Sequence, residues 1–178
     1  MRLDKVPRSA IAFIVAGLSV LIDQVSKAAA VTWLSETERI PLLGNVLGLQ
    51  LTFNPGAILS FASGATWMLT ILGVGITIAL FVAALRSRTV WGAAGLGFIL
   101  GGAIGNVLDR LISPPGFGRG HVTDFLAYSD WFIGNLADVA LAVGGIVLVV
   151  GYWMERRARA RPEATPTMPS EAARTTSS

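Results

Sequence analysis

ATWMLTILGVGITIALFVAAL, residues 65–85, contains no charged side chain. At about 1.5 Å of rise per helical residue, it is long enough to cross a hydrocarbon core of roughly 30 Å. A helix with no charged face is solvated by lipid tails more readily than by water. The whole chain suits that solvent, since 53% of its 178 residues are hydrophobic and only 14% are charged. Its mean hydropathy of +0.63 is too high for an ordinary soluble domain of this length.

Outward from this run lie three more apolar stretches. Residues 90–108 are glycine-rich, residues 132–154 carry one acid at Asp138, and residues 9–34 are interrupted by Asp23 and Lys27. The first stretch also invites a reading as a signal peptide. Against it, the run continues as Ala28-Ala29-Ala30-Val31, and no convincing small-residue cleavage site leads into a soluble domain. All four stretches are expected to be helices, because a lone strand leaves its backbone unpaired in lipid. The expected fold is an all-α membrane protein with a small β element, forming one domain over residues 1–161. The tail, residues 162–178, is rich in Pro, Thr, Ser, Ala and Glu and is expected to be disordered and cytoplasmic.

The basic residues set a direction. Arg2, Lys5 and Arg8 precede the first stretch, Arg86 and Arg88 join the second to the third, and Arg156, Arg157, Arg159 and Arg161 follow the fourth. Both termini are therefore expected in the cytoplasm. The connections 35–64 and 109–131 hold only Arg39, Arg110 and Arg119, and are expected outside. The pI near 10.0 follows from these flanks rather than from one basic patch, so no nucleic-acid partner is expected. The absence of cysteine excludes disulfides, thiolate metal sites and a cysteine nucleophile. One histidine, His121, does not make a multi-histidine zinc site, so neither metal nor other cofactor is expected.

In the first outer connection, Leu47, Leu49, Leu51 and Phe53 alternate with Gly48, Gln50, Thr52 and Asn54. That period of two predicts a strand with one apolar face, in a small amphipathic sheet on the outer membrane face. Gly97, Gly101 and Gly105 recur every four residues and predict close helix packing. No phosphate-loop context accompanies them.

Ionisable groups inside membrane spans are costly, and they face the bundle interior, a wet cavity or one another. Asp23 and Lys27, four apart, share a helix face as a candidate ion pair, read either as scaffold or as part of a proton relay. Asn106, Asp109 and Arg110 share a face at the outer end of the third span. Arg110 has five donors suited to a carboxylate, to backbone carbonyls or to a lipid ester or phosphate, although alone it also fits a snorkelling interfacial arginine. With the fourth span beginning near 132, Asp138 is expected about 9 Å below its outer end, with Asn135 one turn above on the same face. Asp124 is expected in the outer loop, within Val122-Thr123-Asp124-Phe125-Leu126. Two carboxyls in a poorly hydrated site do not both ionise easily, so one keeps a proton while the other serves as a base. Such a pair suits peptide hydrolysis, with the proton's holder left open.

Five short motifs then appear in order: Asp23-Gln24-Val25-Ser26-Lys27, Asn54-Pro55-Gly56-Ala57, Gly105-Asn106-Val107-Leu108-Asp109-Arg110, Val122-Thr123-Asp124-Phe125 and Asn135-Leu136-Ala137-Asp138. Together they resemble the lipoprotein signal peptidases, or signal peptidase II, a bacterial family of four-span aspartyl proteases. The resemblance implies that Asp124 and Asp138 are the catalytic dyad. It also implies that Asn54, Gly56, Asn106, Arg110 and Asn135 meet the substrate, and that Asp23, Lys27 and Asp109 support the site. It further implies a monomer in the cytoplasmic (inner) membrane, acting at the outer face on prolipoproteins that carry a diacylglyceryl group. The chain departs from the family at Ala57-Ile58-Leu59, where a second alanine and a phenylalanine are common, and at Thr123, where valine is common.

Other functions remain in view. A small proton-coupled transporter would use Asp23, Lys27 and Asp138 as a relay, but the polar residues gather toward one side. A Ser-Lys protease would use Ser60 with Lys27, since Ser26 and Lys27 are adjacent and point apart, yet no nucleophile-elbow motif supports it. A non-enzymatic assembly factor gives no reason for a paired acid. His121 reads either as an incidental loop residue or as one that tunes Asp124.

Overall fold

The computed structural model describes residues 7–56 and 66–160. Arg2, Lys5, Ala57, Ser60, Arg161 and the tail from 162 onward lie outside the described residues. The elements in chain order are α1 (Arg8–Trp33), β1 (Ile40–Leu43), β2 (Leu47–Asn54), α2 (Thr66–Leu85), α3 (Val90–Ile112), β3 (Val122–Tyr128), β4 (Phe132–Gly134) and α4 (Leu136–Arg159). Among the described residues, the four helices are each long and apolar enough to cross a membrane. Large hydrophobic side chains such as Ile71, Leu72 and Ile78 of α2 and Val149 of α4 are exposed in the isolated chain, as lipid-facing positions should be.

Helix α3 packs against the other three helices, and glycine lets it do so. A Cβ on Gly97 or Gly101 would strike α1 at the carbonyls of Ala12 and Ala16, and one on Gly105 would strike the Asp23 carboxylate. A second glycine face, not singled out in the sequence, turns toward α4: Gly95 lies against Leu148 and the Gly144 carbonyl, and Gly102 against the Ala137 carbonyl. Backbones thus approach where side chains would hold them apart, which supplies packing in a medium that provides little hydrophobic drive between helices.

The sheet is antiparallel in the order β1-β2-β3-β4. Its first two strands come from the α1–α2 connection and its last two from the α3–α4 connection. Thr52 stands opposite Asp124, and Leu126 opposite Gly134. Leu51 and Phe125 bury against Ala30 near the end of α1, which seats the sheet on the bundle. The loop after α3 is tied to α2 by the Thr70 hydroxyl, which donates to the Gly118 carbonyl at 2.8 Å.

Three placements differ from the sequence reading. Asp124 lies on strand β3 rather than in a loop. Phe132, Ile133 and Gly134 pair with β3, so the fourth helix starts at Leu136 instead of near 132. Asp138 therefore sits in its first turn, not about 9 Å along it, and Asn135 is the N-cap rather than a residue one turn above. The third helix runs past 108 to Ile112, since no helix breaker arrives before Ser113-Pro114-Pro115.

Gly105→Ala is expected to displace the Asp23 carboxylate and to cost about 1–3 kcal/mol, in the range for overpacked interiors. Thermal unfolding in detergent measures this, and an unchanged midpoint would show that α1 and α3 have slack at this crossing.

Candidate active site

Just inside the sheet end of the bundle, Lys27 forms 2.9 Å ion pairs with both Asp23 and Asp109. Its ammonium also donates to Oδ1 of Asn106 at 3.2 Å, so three acceptors meet its three protons. All three charged residues are buried. Gln24 donates to Asp23, to Asp109 and to the Gly105 carbonyl, tying the same groups together. Asp23 accepts the Ala137 N–H at 2.8 Å, and Asp109 accepts the Thr123 N–H at 3.0 Å. The cluster thereby fixes the first turn of α4 and the start of β3. The sequence pointed to the i,i+4 pair but gave no signal that Gln24 would join it.

Above the cluster, six of the residues singled out in the sequence converge on one cleft of about 660 Å³: Asn54, Asn106, Arg110, Asp124, Asn135 and Asp138. Phe53, Pro55, Val122, Trp131, Phe132 and Ile133 give it apolar walls. The sequence reading missed Trp131, which closes the outer connection, and Phe132 and Ile133, which read as the start of a span. Such a cleft, apolar with a few converging polar groups, is the usual form of a binding site.

Asn135 joins the two carboxylates. Its side-chain amide donates to Oδ1 of Asp124 and to Oδ1 of Asn106, while its Oδ1 accepts the Asp138 N–H at 3.0 Å. Its own N–H donates to Oδ2 of Asp138 at 3.3 Å, completing a reciprocal cap of α4. Asn106 donates to Oδ1 of Asp138 at 3.1 Å. Asn54 sits on the same face of the sheet as Asp124 and donates to its Oδ2 at 3.0 Å. The Asn54 carbonyl oxygen is occupied by the Gly56 N–H at 2.8 Å, which leaves the amide nitrogen to face Asp124.

Gly56 does not line the cleft but follows the end of β2 beside it. Its φ of +110° favours glycine, and a Cβ there would run into Leu69. Burial pushes the Asp124 carboxyl up to about 6, and the charge of Asp138 adds to the rise. The bonds from Asn54 and Asn135 and the charge of Lys27 act the other way. Arg110 contributes a guanidinium whose Nη1 is buried with no hydrogen-bond partner among the described residues. His121 donates its backbone N–H to the Pro114 carbonyl at 3.0 Å.

The arrangement supplies two carboxyls for acid-base work, a cation with a donor that has no partner among the described residues, and an apolar lining. A sequence profile described as Signal peptidase (SPase) II matches residues 15–154. A lipoprotein signal peptidase of Rhodococcus jostii is 39% identical over 143 residues, covering 80% of this chain and 72% of that protein. One from Mycobacterium avium is 41% identical over 136 residues, covering 76% and 75%. One from Bifidobacterium longum subsp. infantis is 41% identical over 143 residues, covering 80% and 78%. In overall fold the chain is similar to a solved bacterial membrane enzyme with a TM-score of 0.71 at 23% identity, covering 86% of this chain and 94% of that one. A second solved bacterial membrane enzyme gives a TM-score of 0.68 at 24% identity, covering 79% and 91%. With its four apolar helices and a profile match over most of its length, the chain belongs to the signal peptidase II family of multi-pass membrane proteases.

Proposed function

We infer that this protein is an aspartyl endopeptidase that removes signal peptides from diacylglyceryl-modified prolipoproteins at the outer face of a bacterial cytoplasmic membrane, with Asp124 and Asp138 activating the water. The observation that carries this reading is that one residue, Asn135, hydrogen-bonds both carboxylates in the same cleft. The distribution of arginine supports the orientation: Arg86 and Arg88 lie at the end of the bundle opposite the sheet, as do Arg156, Arg157 and Arg159. A substrate tethered by lipid must be met near the membrane interface, and the cleft opens where helix ends meet the sheet.

In the proposed reaction the pair carries one proton. The ionised carboxylate takes a proton from water, and the resulting hydroxide attacks the scissile carbonyl carbon. The protonated carboxyl donates to the carbonyl oxygen, and the tetrahedral species collapses as a proton passes to the leaving amine. Burial drives the Asp124 carboxyl up to about 6, so this group can hold the proton of the pair up to about that pH. Asn54, Asn106 and Asn135 hold the carboxylates in place. The Nη1 of Arg110, buried with no partner among the described residues, supports a role in binding a substrate carbonyl or ester oxygen. The apolar wall that includes Trp131 and Phe132 suits the lipid-bearing side of the substrate.

Asp124→Asn and Asp138→Asn are each expected to abolish cleavage of a lipidated prolipoprotein by the purified, folded protein; turnover by either variant would remove the dyad. The sign of the pH dependence follows from the raised Asp124 value. Below about pH 6 the upper proton is bound, and as pH rises through that point the pair loses its acid. kcat/KM is therefore expected to decline on the alkaline side with a midpoint near pH 6, and a flat profile from about pH 5 to 8 would exclude this assignment. Arg110→Lys keeps the charge but loses the planar fork, and kcat/KM should fall about tenfold. Unchanged kinetics would reduce Arg110 to an interfacial anchor.

A further inference from the structure

Lys27 lies outside the cleft lining, yet a chain of hydrogen bonds runs from it to both carboxylates. The geometry points to Lys27 as a positioning residue for the hydrolysis. By dictating which end of the Asn106 amide faces it, Lys27 aims one amide donor at Asp138 and, through Asn135, a second at Asp124. This role rests on the reading of the two aspartates as the catalytic pair.

The argument starts from the symmetry of a carboxamide. Its oxygen and nitrogen ends have nearly the same shape, so packing hardly distinguishes a side chain from the same side chain turned by 180°. Electrostatics has to choose. Lys27 has three donors and no acceptor, and Asp23, Asp109 and Asn106 each receive one. Only the carbonyl end of Asn106 can face it. That oxygen also receives the Asn135 amide at 3.1 Å, so two donors from different elements demand the same orientation.

The nitrogen end of Asn106 is then left pointing at Oδ1 of Asp138, 3.1 Å away. Asn135 spends one amide proton on Asn106 and the other on Asp124. Its oxygen takes the Asp138 N–H, so its orientation is fixed as well. If Asn106 were turned over, its N–H groups would face the ammonium and the Asn135 amide, while its oxygen would face the carboxylate of Asp138. Every one of those contacts would be unfavourable. The lysine thus acts on both carboxylates from beneath, without touching the substrate.

The charged and titratable groups around this chain are Asp23 and Lys27 from α1, Asp109 and Arg110 from α3, Asp124 and Tyr128 from β3, and Asp138 from α4. Lys27 favours the ionised form of Asp124. Its loss should therefore move the alkaline limb of the activity profile to higher pH.

Removing Lys27 alone would leave two buried carboxylates, Asp23 and Asp109, without their ion pair, so the test uses Asp23→Asn/Lys27→Met, which keeps the net charge of the cluster and leaves Asp109 with the Thr123 N–H and the Gln24 amide. Asn at position 23 can still accept the Ala137 N–H. With purified enzyme and a synthetic lipidated peptide, the double variant is expected to keep KM within about twofold, to lose kcat by about tenfold or more, and to shift the alkaline limb upward. Adding Asn106→Leu to it should change kcat by less than about twofold relative to Asn106→Leu alone, because both act through one amide. Unchanged kcat, or a fall in kcat with the limb unmoved and effects that simply add, would overturn the proposal and leave Lys27 as scaffold. Should the double variant not fold, the unaltered protein still decides. With asparagine side chains labelled with nitrogen-15, the Asn106 amide signal must respond as Asp124 titrates, and an indifferent signal sinks the idea. Activity surviving in Asp124→Asn or Asp138→Asn would instead defeat the underlying dyad, which keeps the two failures distinct.

Discussion

One ammonium group, shut away from water, ties four elements of this protein together. Lys27 of α1 holds Asp23 on its own helix and Asp109 on α3. Those carboxylates reach on to backbone N–H groups at the first turn of α4 and the start of β3. Burying three charges is expensive, and removing a single partner from such a group costs about 3–5 kcal/mol because the remainder is left uncompensated. A cluster of this kind contributes less to net stability than to uniqueness, since few other arrangements of four helices would satisfy all its bonds. It also sits directly beneath the cleft, so the requirement that fixes the bundle fixes the floor of the site.

The cluster can form only because α3 comes close to its neighbours. Gly105 leaves room for the Asp23 carboxylate, and Gly102 lets the Ala137 carbonyl approach. Two glycine faces, one toward α1 and one toward α4, make α3 the central post of the bundle. The sheet is likewise shared between two connections, β2 meeting β3, and this pairing puts Asn54 beside Asp124. The polar groups of the cleft are consequently drawn from β2, α3, β3 and the capped start of α4.

Much of this was legible in the residues. The run ending at Leu85 is free of charge, while the spacing of Asp23 and Lys27 and the alternation from Leu47 to Phe53 each obey a simple period, and each appears as the corresponding helix, ion pair or strand. Strand β3 was hidden because its residues from Val122 to Phe125 are all buried, so no alternation shows. Phe132, Ile133 and Gly134 read as part of a span because strand and helix are equally apolar there. The cap at Asn135, with Asp138 three residues later, is the one local signal that could have corrected this boundary. The role of Gln24 had no such signal, since only the tertiary approach of α3 gives its amide three acceptors.

Asp124 and Asp138 come from β3 and α4, and Asp138 is held by the cap that begins the last helix. Translation delivers these parts late, and the final apolar helix must leave the insertion machinery before α3 and Asn135 can close around it. A nascent chain halted after β3 would hold half of the proposed dyad and no hydrolytic centre. On the proposed reading of these two aspartates, the order of synthesis leaves the growing chain without a complete pair until α4 has been made.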